Sequence, residues 1–218
     1  MLRNGAGRMR LVDFVKEYGE LFSERLGIDL GTRRNSELVK WFLASILYAK
    51  PIRESTATKT YRCFEKHGVL TVDKILKTDW GGLVVILDEG GYTRYDFSTA
   101  DKLLEVFGNL KKGYRGSLNL LHRRAADSGD LERKIKALGK GIGPTTISIF
   151  LRELRNIWPK AKPILSPLVQ QAMKRHRIEN LEEFAKDRNL DVVRLETALL
   201  RLSKDFLTKG RTLTIEVV

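Results

Sequence analysis

Apolar residues recur at helical spacing along most of the chain. In the N-terminal region, Val15, Tyr18, Phe22 and Leu26 fall on one face of a single predicted helix that stops near Gly27. Residues 37–49 are apolar nearly all round, which is typical of a buried central helix. The same periodicity predicts further helices at 54–67, from 71, at 115–126, at 131–138, at 144–154, at 166–175, from 180 and at 192–206.

Three segments depart from this simple pattern. Gly81-Gly82 is expected to interrupt it before residues 83–89, which fit a helix or a strand equally well. The sequence Ser98-Thr-Ala-Asp101 is predicted to form a capping box that opens the next helix. Only residues 212–217 alternate with period two, which indicates one short C-terminal strand.

These elements predict an all-α fold built of two helical lobes. We expect residues 36–130 to form a central lobe and residues 131–155 to form a helix-hairpin-helix. Residues 1–35 and 156–218 are expected to supply the second lobe.

The segment that joins two of these helices is Gly139-Lys140-Gly141-Ile142-Gly143, and Pro144 follows it. Gly141 and Gly143 are expected to take positive φ and to bring bare backbone close to an anion. Pro144 suits the first helical position, where the free N–H groups and the helix dipole favour negative charge. The hairpin is therefore predicted to contact a DNA backbone without regard to sequence. The alternative is a plain αα-hairpin with a glycine C-cap.

Basic and hydroxyl residues surround this hairpin. Arg133, Lys134 and Lys136 crowd the preceding helix, and two further arginines lie at the junction of the predicted lobes, where a solvated charge pair is an equally good account. The predicted DNA-binding set is Gly139, Lys140, Gly141, Ile142, Gly143, Thr145, Thr146, Arg33 and Arg34.

Composition narrows the choice of partner and compartment. The 218 residues carry a net charge of +13, which favours nucleic acid as the partner. No apolar run approaches the roughly 20 residues of a membrane span, and the basic N-terminus lacks the apolar core of a signal peptide. Cys63 is the sole cysteine and the three histidines lie far apart, so we expect no metal and no other cofactor. These features predict a cytoplasmic, nucleoid-associated monomer. The small number of Asn and Gln residues and the 31% of charged residues resemble the amino-acid usage of a thermophile.

The order of these motifs resembles the helix-hairpin-helix DNA glycosylase superfamily, most closely its endonuclease III branch. The resemblance covers residues 36–176 and implies that a lesion is flipped into a cleft between two lobes while the hairpin holds the backbone. It rests on the ordered segments ELVKWFLASILYAK, STATKTY, GGYTRYDFSTADKL, LGKGIGPTTI and ILSPLVQQAMKR.

Departures from the family pattern limit the chemistry that the resemblance implies. The position of the catalytic lysine in the lyase members is Thr145, and the position of the family carboxylate is Ser166. The four cysteines that hold an iron–sulfur cluster in many members are not present. The usual reaction is therefore not expected at those two positions.

Cleavage beside an abasic site makes smaller demands on catalytic groups than base excision does. Excision needs a carboxylate to stabilise positive charge on the sugar, whereas an amine of lowered pKa can attack the aldehyde of an abasic sugar and form a Schiff base. Lys50, at the end of the buried helix, is the first candidate nucleophile and Lys140 is the second. Their alternatives are a cation that neutralises a helix dipole and a phosphate contact, respectively.

Proton transfer and lesion binding have weaker candidates. Asp88 and Asp96, with the neighbouring Glu89, are candidate proton acceptors, and solvated turn residues are the alternative. The predicted lesion pocket contains Tyr48, Tyr92, Tyr95 and Ser166, and ordinary packing is the alternative for the tyrosines.

The sequence thus favours a base-excision-repair enzyme, an abasic-site DNA lyase that acts by Schiff-base β-elimination, with a narrow DNA glycosylase activity on an unidentified lesion. A non-catalytic, structure-selective DNA-binding protein of the same fold is the alternative. A helical protein-interaction module is a third hypothesis, which the basic excess disfavours.

Overall fold

The computed structural model describes residues 7–209 and 213–216. Over these residues the fold is all-α, with thirteen α-helices and two short strands that pair in parallel. None of the helices in this part of the chain is long and apolar enough to cross a membrane. The chain divides into two compact units, the larger Leu26–Pro163 and the smaller Met1–Arg25 with Ile164–Val218.

The larger unit is built around a helix whose side chains are buried on almost every face. Phe42 on this helix lies 4.8 Å from Phe150 and 6.0 Å from Phe107, measured between ring centroids, and the Trp41 indole N–H donates to the Phe150 carbonyl at 3.0 Å. The unit contains a 3-10 turn Leu30–Thr32 and the helices α3 Asn35–Tyr48, α4 Glu54–Lys66, α5 Val72–Lys77, α6 Asp79–Glu89, α7 Asp96–Tyr114, α8 Leu118–Arg124, α9 Ser128–Lys136 and α10 Pro144–Arg152.

The smaller unit packs its helices against one long C-terminal helix. Residues Gly7–Arg10 pair with Leu213–Glu216, and Met9 is opposite Ile215. The elements are β1 Gly7–Arg10, α1 Leu11–Tyr18, α2 Phe22–Arg25, α11 Pro167–Arg175, α12 Leu181–Asp187, α13 Val192–Lys209 and β2 Leu213–Glu216. The C-terminal strand is confirmed within the described residues, and the ends of its predicted range, 212 and 217, lie outside them.

The single N-terminal helix predicted from the apolar stripe is wrong, because Gly19 ends α1. The Gly19 N–H bonds to the Val15 carbonyl at 2.8 Å, and a Cβ at this position would lie 2.9 Å from the Arg194 carbonyl oxygen. The Glu24 carboxylate then accepts the Leu21 N–H at 3.1 Å and supports the start of α2. Close backbone packing therefore divides a stripe that looks continuous in sequence.

Two further local predictions are also wrong. The glycines at 81 and 82 lie inside α6, because the Asp79 carboxylate accepts the Gly82 N–H at 3.0 Å and starts the helix before them. The segment 83–89 is accordingly helical rather than a strand. The capping box at Ser98 does not form, because α7 already begins at Asp96 and the Ser98 hydroxyl donates to the Tyr95 carbonyl.

The helix starts predicted at Ser166 and Asn180 are confirmed, and each carries a side-chain cap. The Ser166 hydroxyl accepts the Val169 N–H at 3.4 Å before α11, and the Asn180 side chain accepts two N–H groups before α12. The helix predicted at 115–126 begins only at Leu118, because α7 continues to Tyr114 and left-handed residues at Arg115 and Gly116 close it.

Candidate functional site

The glycine hairpin lies between α9 and α10, as the sequence predicts. Gly141 has φ +84°, the left-handed conformation that glycine adopts without strain. Gly143 has φ −106° and ψ −178°, so its expected positive φ is wrong. Gly143 is the N-cap residue of α10, and an N-cap residue needs extended rather than left-handed backbone. Pro144 occupies the first turn of the helix, as predicted.

The N-terminus of α10 is open to an approaching ligand. Gly143 has no side chain to accept the N–H groups of the first turn, and a Cβ added there would meet no atom within 4 Å. These N–H groups lack intrahelical partners by the geometry of any helix start. An anion is therefore favoured in front of Gly143 and the exposed Thr145.

Three side chains on one face of α7 hold the hairpin backbone. The Lys102 ammonium donates to the Gly141 carbonyl at 3.0 Å, the Glu105 carboxylate accepts the Lys140 N–H at 3.0 Å, and the Asn109 amide donates to the Leu138 carbonyl at 2.9 Å. Residues three and seven positions apart lie along one stripe of a helix.

Packing adds to these bonds at the first glycine of the hairpin. A Cβ on Gly139 would lie 2.7 Å from Cγ2 of Val106 on α7, so no larger residue fits there without a shift. The hairpin is thus bound to α7 along its length by both hydrogen bonds and close packing.

Lys102 and Lys50 form an amine pair beside the hairpin. Both side chains are half-buried, and the Lys50 ammonium lies over the Tyr95 ring at 5.1 Å from its centroid. Burial, which is the larger cause, and the neighbouring positive charge of Lys50 together lower the pKa of Lys102 to about 8. At pH 7 about one tenth of Lys102 is then a neutral amine, against about 0.03% for an unperturbed lysine.

This amine pair offers two kinds of chemistry. Two ammonium groups held together favour a shared anion such as a phosphate. A neutral Lys102 can donate one N–H to the Gly141 carbonyl and keep its lone pair for attack on a carbonyl carbon.

The two predicted lysines occupy different environments. Lys50 lies two residues after the end of α3 and joins the amine pair, whereas Lys140 is exposed at the tip of the hairpin. The exposure of Lys140 fits the alternative of a phosphate contact.

The two predicted carboxylates, Asp88 and Asp96, also lie in different environments. Asp88 is exposed near the end of α6, while the Asp96 carboxylate accepts the N–H of Phe97 at 2.6 Å at the start of α7. Glu89 contacts Lys66 at 2.7 Å and His67 at 2.6 Å. Hydrogen bonds to Lys66 and His67 lower the pKa of Glu89 to about 2, which makes it a weak proton acceptor.

The three tyrosines predicted for the lesion pocket belong to the larger unit, and the ring centroids of Tyr92 and Tyr95 lie 6.3 Å apart. Tyr92 is buried and its hydroxyl donates to the Leu47 carbonyl, so the alternative of core packing holds for this residue. The Tyr48 hydroxyl bonds with that of Thr58 at 2.8 Å. Tyr95 is half-buried in contact with the amine pair. Ser166 belongs to the smaller unit, where it caps α11.

The remaining residues that are predicted to contact DNA differ in the exposure of their side chains. The side chains of Ile142 and Thr146 are buried, so only their backbone is suited to contact a strand. Arg33 and Arg34 are exposed at the start of α3. On α9, Arg133 and Lys134 both contact Asp130, and Lys136 is exposed.

The histidines have structural contacts. His67 and His176 follow the ends of α4 and α11, whereas His122 is half-buried and stacks on Trp158 with ring centroids 4.6 Å apart. Burial lowers the pKa of His122 and of His176. Within the described ranges, no group of three His, Cys, Asp or Glu side chains is arranged to hold a metal ion.

Most of the excess positive charge belongs to the unit that contains the hairpin. Residues 26–163 include 25 Lys and Arg against 15 Asp and Glu, a net charge of +10 out of the +13 of the chain. Such an excess attracts a polyanion and makes its binding sensitive to salt.

Lys102, Glu105 and Asn109 are the site residues that sequence analysis misses. Their spacing along α7 marks one polar helix face, a signal that a solvated surface produces equally well. The partners that give the face its function are hairpin atoms 29 to 39 residues away.

The hairpin gives a direct mutational test. Gly143→Val keeps an ordinary φ and meets no atom, but its side chain projects from the open N-terminus of α10. We expect affinity for a DNA duplex to fall about 10-fold, as for the loss of one or two charge-assisted hydrogen bonds, with the thermal midpoint nearly unchanged. Fluorescence anisotropy with a labelled duplex measures the loss, and Lys77→Gln on α5 is the control. Unchanged affinity in Gly143→Val would show that the hairpin is only a turn between two helices and does not contact DNA.

Comparison of the chain with protein-family models, curated proteins and solved structures finds no match. The likeness to the helix-hairpin-helix glycosylases therefore rests on the motifs of the sequence itself and stays a prediction.

Proposed function

We propose that this protein is an abasic-site DNA lyase in which Lys102 is the nucleophile. The observation that carries the proposal is the bond from the half-buried Lys102 amine to the Gly141 carbonyl. It makes the reactive amine and the phosphate-binding hairpin parts of one rigid structure. Lys50, the first candidate from sequence, becomes the neighbour that keeps Lys102 partly neutral.

Binding comes first in the proposed mechanism. The N–H groups at the start of α10 take a backbone phosphate, and the exposed Lys140 adds a second contact to the same strand. These contacts are independent of base sequence, which suits a substrate defined by a missing base. The abasic sugar is then held close to the amine pair.

The covalent steps follow from the chemistry of an aldehyde. The neutral Lys102 amine attacks C1′ of the open sugar, and the adduct takes up a proton from solvent and loses water, which leaves a protonated Schiff base. The iminium acidifies C2′, a base removes the C2′ proton, and the C3′–O bond breaks with departure of the 3′ phosphate. Water then hydrolyses the imine, which releases an unsaturated aldehyde and restores the amine.

Proton removal is assigned to one of the two carboxylates predicted from sequence. Asp96 follows Tyr95, whose ring contacts Lys50, and lies at the start of the helix that carries Lys102. Asp88 lies on a different helix and is exposed. Asp96 is therefore the favoured proton acceptor. A glycosylase activity remains a secondary expectation, because Ser166 offers no carboxylate for the charged sugar.

Strand cleavage tests the proposal. A 5′-labelled duplex with one natural abasic site should be cut to a product that ends in the unsaturated aldehyde. A matched duplex with a tetrahydrofuran in place of the abasic sugar lacks the aldehyde and should be bound but not cut. Cleavage of both duplexes would contradict the Schiff-base mechanism. Binding of both without cleavage would instead support the non-catalytic DNA-binding alternative.

A further inference from the structure

Two aromatic side chains of the larger unit lie exposed and in contact with each other. Trp80 is 41% exposed and Phe97 is 58% exposed, and their ring centroids are 5.2 Å apart at an interplanar angle of 41°. Other large hydrophobic side chains that are exposed in the described ranges are aliphatic, at Val12, Val85 and Ile164. Trp80 and Phe97 therefore form an aromatic patch that the proposed reaction does not use.

The fold holds this patch in position. The Trp80 indole N–H donates to the Asp101 carboxylate at 2.9 Å, which fixes the ring at the surface. Asp79, the residue before it, has φ +61° and bonds through its carboxylate to the Gly82 N–H. A left-handed conformation at a residue other than glycine costs free energy that packing elsewhere must offset.

Phe97 and Lys102 both belong to the N-terminal half of α7, on different faces of the helix. Phe97 and Asp101 are four residues apart and share one flank, and Lys102 is the next residue along the helix. Five residues of helix separate Phe97 from Lys102, which corresponds to about 7.5 Å along the helix axis and a rotation of about 140° around it. The axial distance is about two stacked nucleotide steps of a DNA strand.

We infer that Trp80 and Phe97 form a stacking site for an unpaired nucleobase near the abasic sugar. The inference rests on the proposed function, since it assumes a DNA strand at the hairpin. Aromatic side chains stack on any base through its π-face, and loss of one such contact weakens binding by about 5- to 100-fold. A base that has lost its opposite partner, or that is pushed out of the helix, would have its face covered by these rings.

A nucleobase fits the patch better than a protein partner does. A stable protein interface buries about 800 Å² on each side, whereas two rings suffice to cover one base. The unit that carries the patch has a net charge of +10. The net positive charge of this unit favours a polyanion that exposes aromatic faces, which describes single-stranded DNA.

Tryptophan fluorescence offers a specific test of stacking. Of the three tryptophans, Trp41 is 0% exposed, Trp158 is 3% exposed and Trp80 is 41% exposed, so an oligonucleotide meets only Trp80. A 12-nucleotide single strand with a central tetrahydrofuran serves as the probe. We expect it to quench the emission, and we expect Trp80→Phe to lose the quenching while it keeps most of the affinity, because phenylalanine also stacks.

Affinity then separates stacking from hairpin binding. We expect Phe97→Ala to weaken binding of the 12-nucleotide probe about 5- to 100-fold. The matched control is Val85→Ala, an exposed aliphatic residue on α6, which should bind as the unaltered protein does. If Phe97→Ala binds normally and the probe leaves the emission of the unaltered protein unchanged, while Gly143→Val binds poorly, the stacking site is overturned and the proposed function stands. If the unaltered protein binds no DNA, both fail together.

Discussion

Replacement of Lys102 by glutamine is expected to slow cleavage of abasic DNA at least about 100-fold while DNA affinity changes little. Glutamine keeps a donor for the Gly141 carbonyl, so the hairpin should stay on α7, but it provides no amine for the Schiff base. Single-turnover cleavage of a labelled abasic duplex measures the rate. The comparison variant is Lys140→Gln, which should weaken binding and lower its salt dependence by about one counterion, with the rate at saturating protein retained. Cleavage at full rate by Lys102→Gln would remove this residue as the nucleophile.

The same site predicts a particular pH profile. The single-turnover rate should rise about tenfold per pH unit below pH 8 and level off above it, because Lys102 reacts only when neutral and its pKa is about 8. In Lys50→Gln the neighbouring charge is gone, so the pKa of Lys102 should rise and the plateau should move to higher pH. Burial, the larger cause of the low pKa, remains, so the shift is partial. A profile that does not move in Lys50→Gln would contradict the pairing of the two amines.

Replacement of Phe150 by alanine is expected to lower the free energy of unfolding by about 3–5 kcal/mol. Phe150 is fully buried on α10, contacts Phe42 and Trp158, and offers its carbonyl to the Trp41 indole. Its ring therefore joins the helix after the hairpin to the centre of the larger unit. Urea denaturation followed by circular dichroism measures the change.

Phe97→Ala is the matched control for this loss of stability. The same chemical change is made on a ring that is 58% exposed, so we expect a change within about 0.5 kcal/mol. A loss below about 1 kcal/mol in Phe150→Ala would show that α10 does not depend on this contact.

Local sequence signals predicted much of the fold. The Ser166 and Asn180 caps, the Pro144 start of α10 and the buried stripe of α3 appear where periodicity and capping chemistry place them. Each depends on residues within one or two turns of one another. The short strand β2 followed from alternation, whereas its partner β1 has no comparable pattern.

The errors of prediction arose where distant contacts override a local pattern. Gly19 ends a helix because the backbone of α13 lies against it, and nothing near Gly19 in sequence carries that information. Asp79 starts α6 ahead of two glycines that ordinarily break helices, and it does so with an unusual left-handed backbone.

The residues of the candidate site show the same contrast, because local sequence signals identify some of them and distant contacts define the others. The hairpin is readable from five consecutive residues, and Lys50 could be singled out as the end of a buried helix. Lys102 could not be identified from sequence, because its low pKa depends on burial and on Lys50, and its hydrogen bond reaches to Gly141. Its role exists only after α3, α7 and the hairpin have packed together.

The position of a covalent adduct tests the central claim most directly. The protein is incubated with abasic duplex and borohydride, the reduced complex is digested with a protease that cleaves after glutamate, and the cross-linked peptide is identified by mass spectrometry. Cleavage after Glu89 and Glu105 yields peptide 90–105, in which Lys102 is the sole lysine. We predict that the sugar remnant is found on this peptide. A remnant on a peptide that contains Lys50 or Lys140 instead, or no adduct under conditions in which the duplex is bound, would contradict the account.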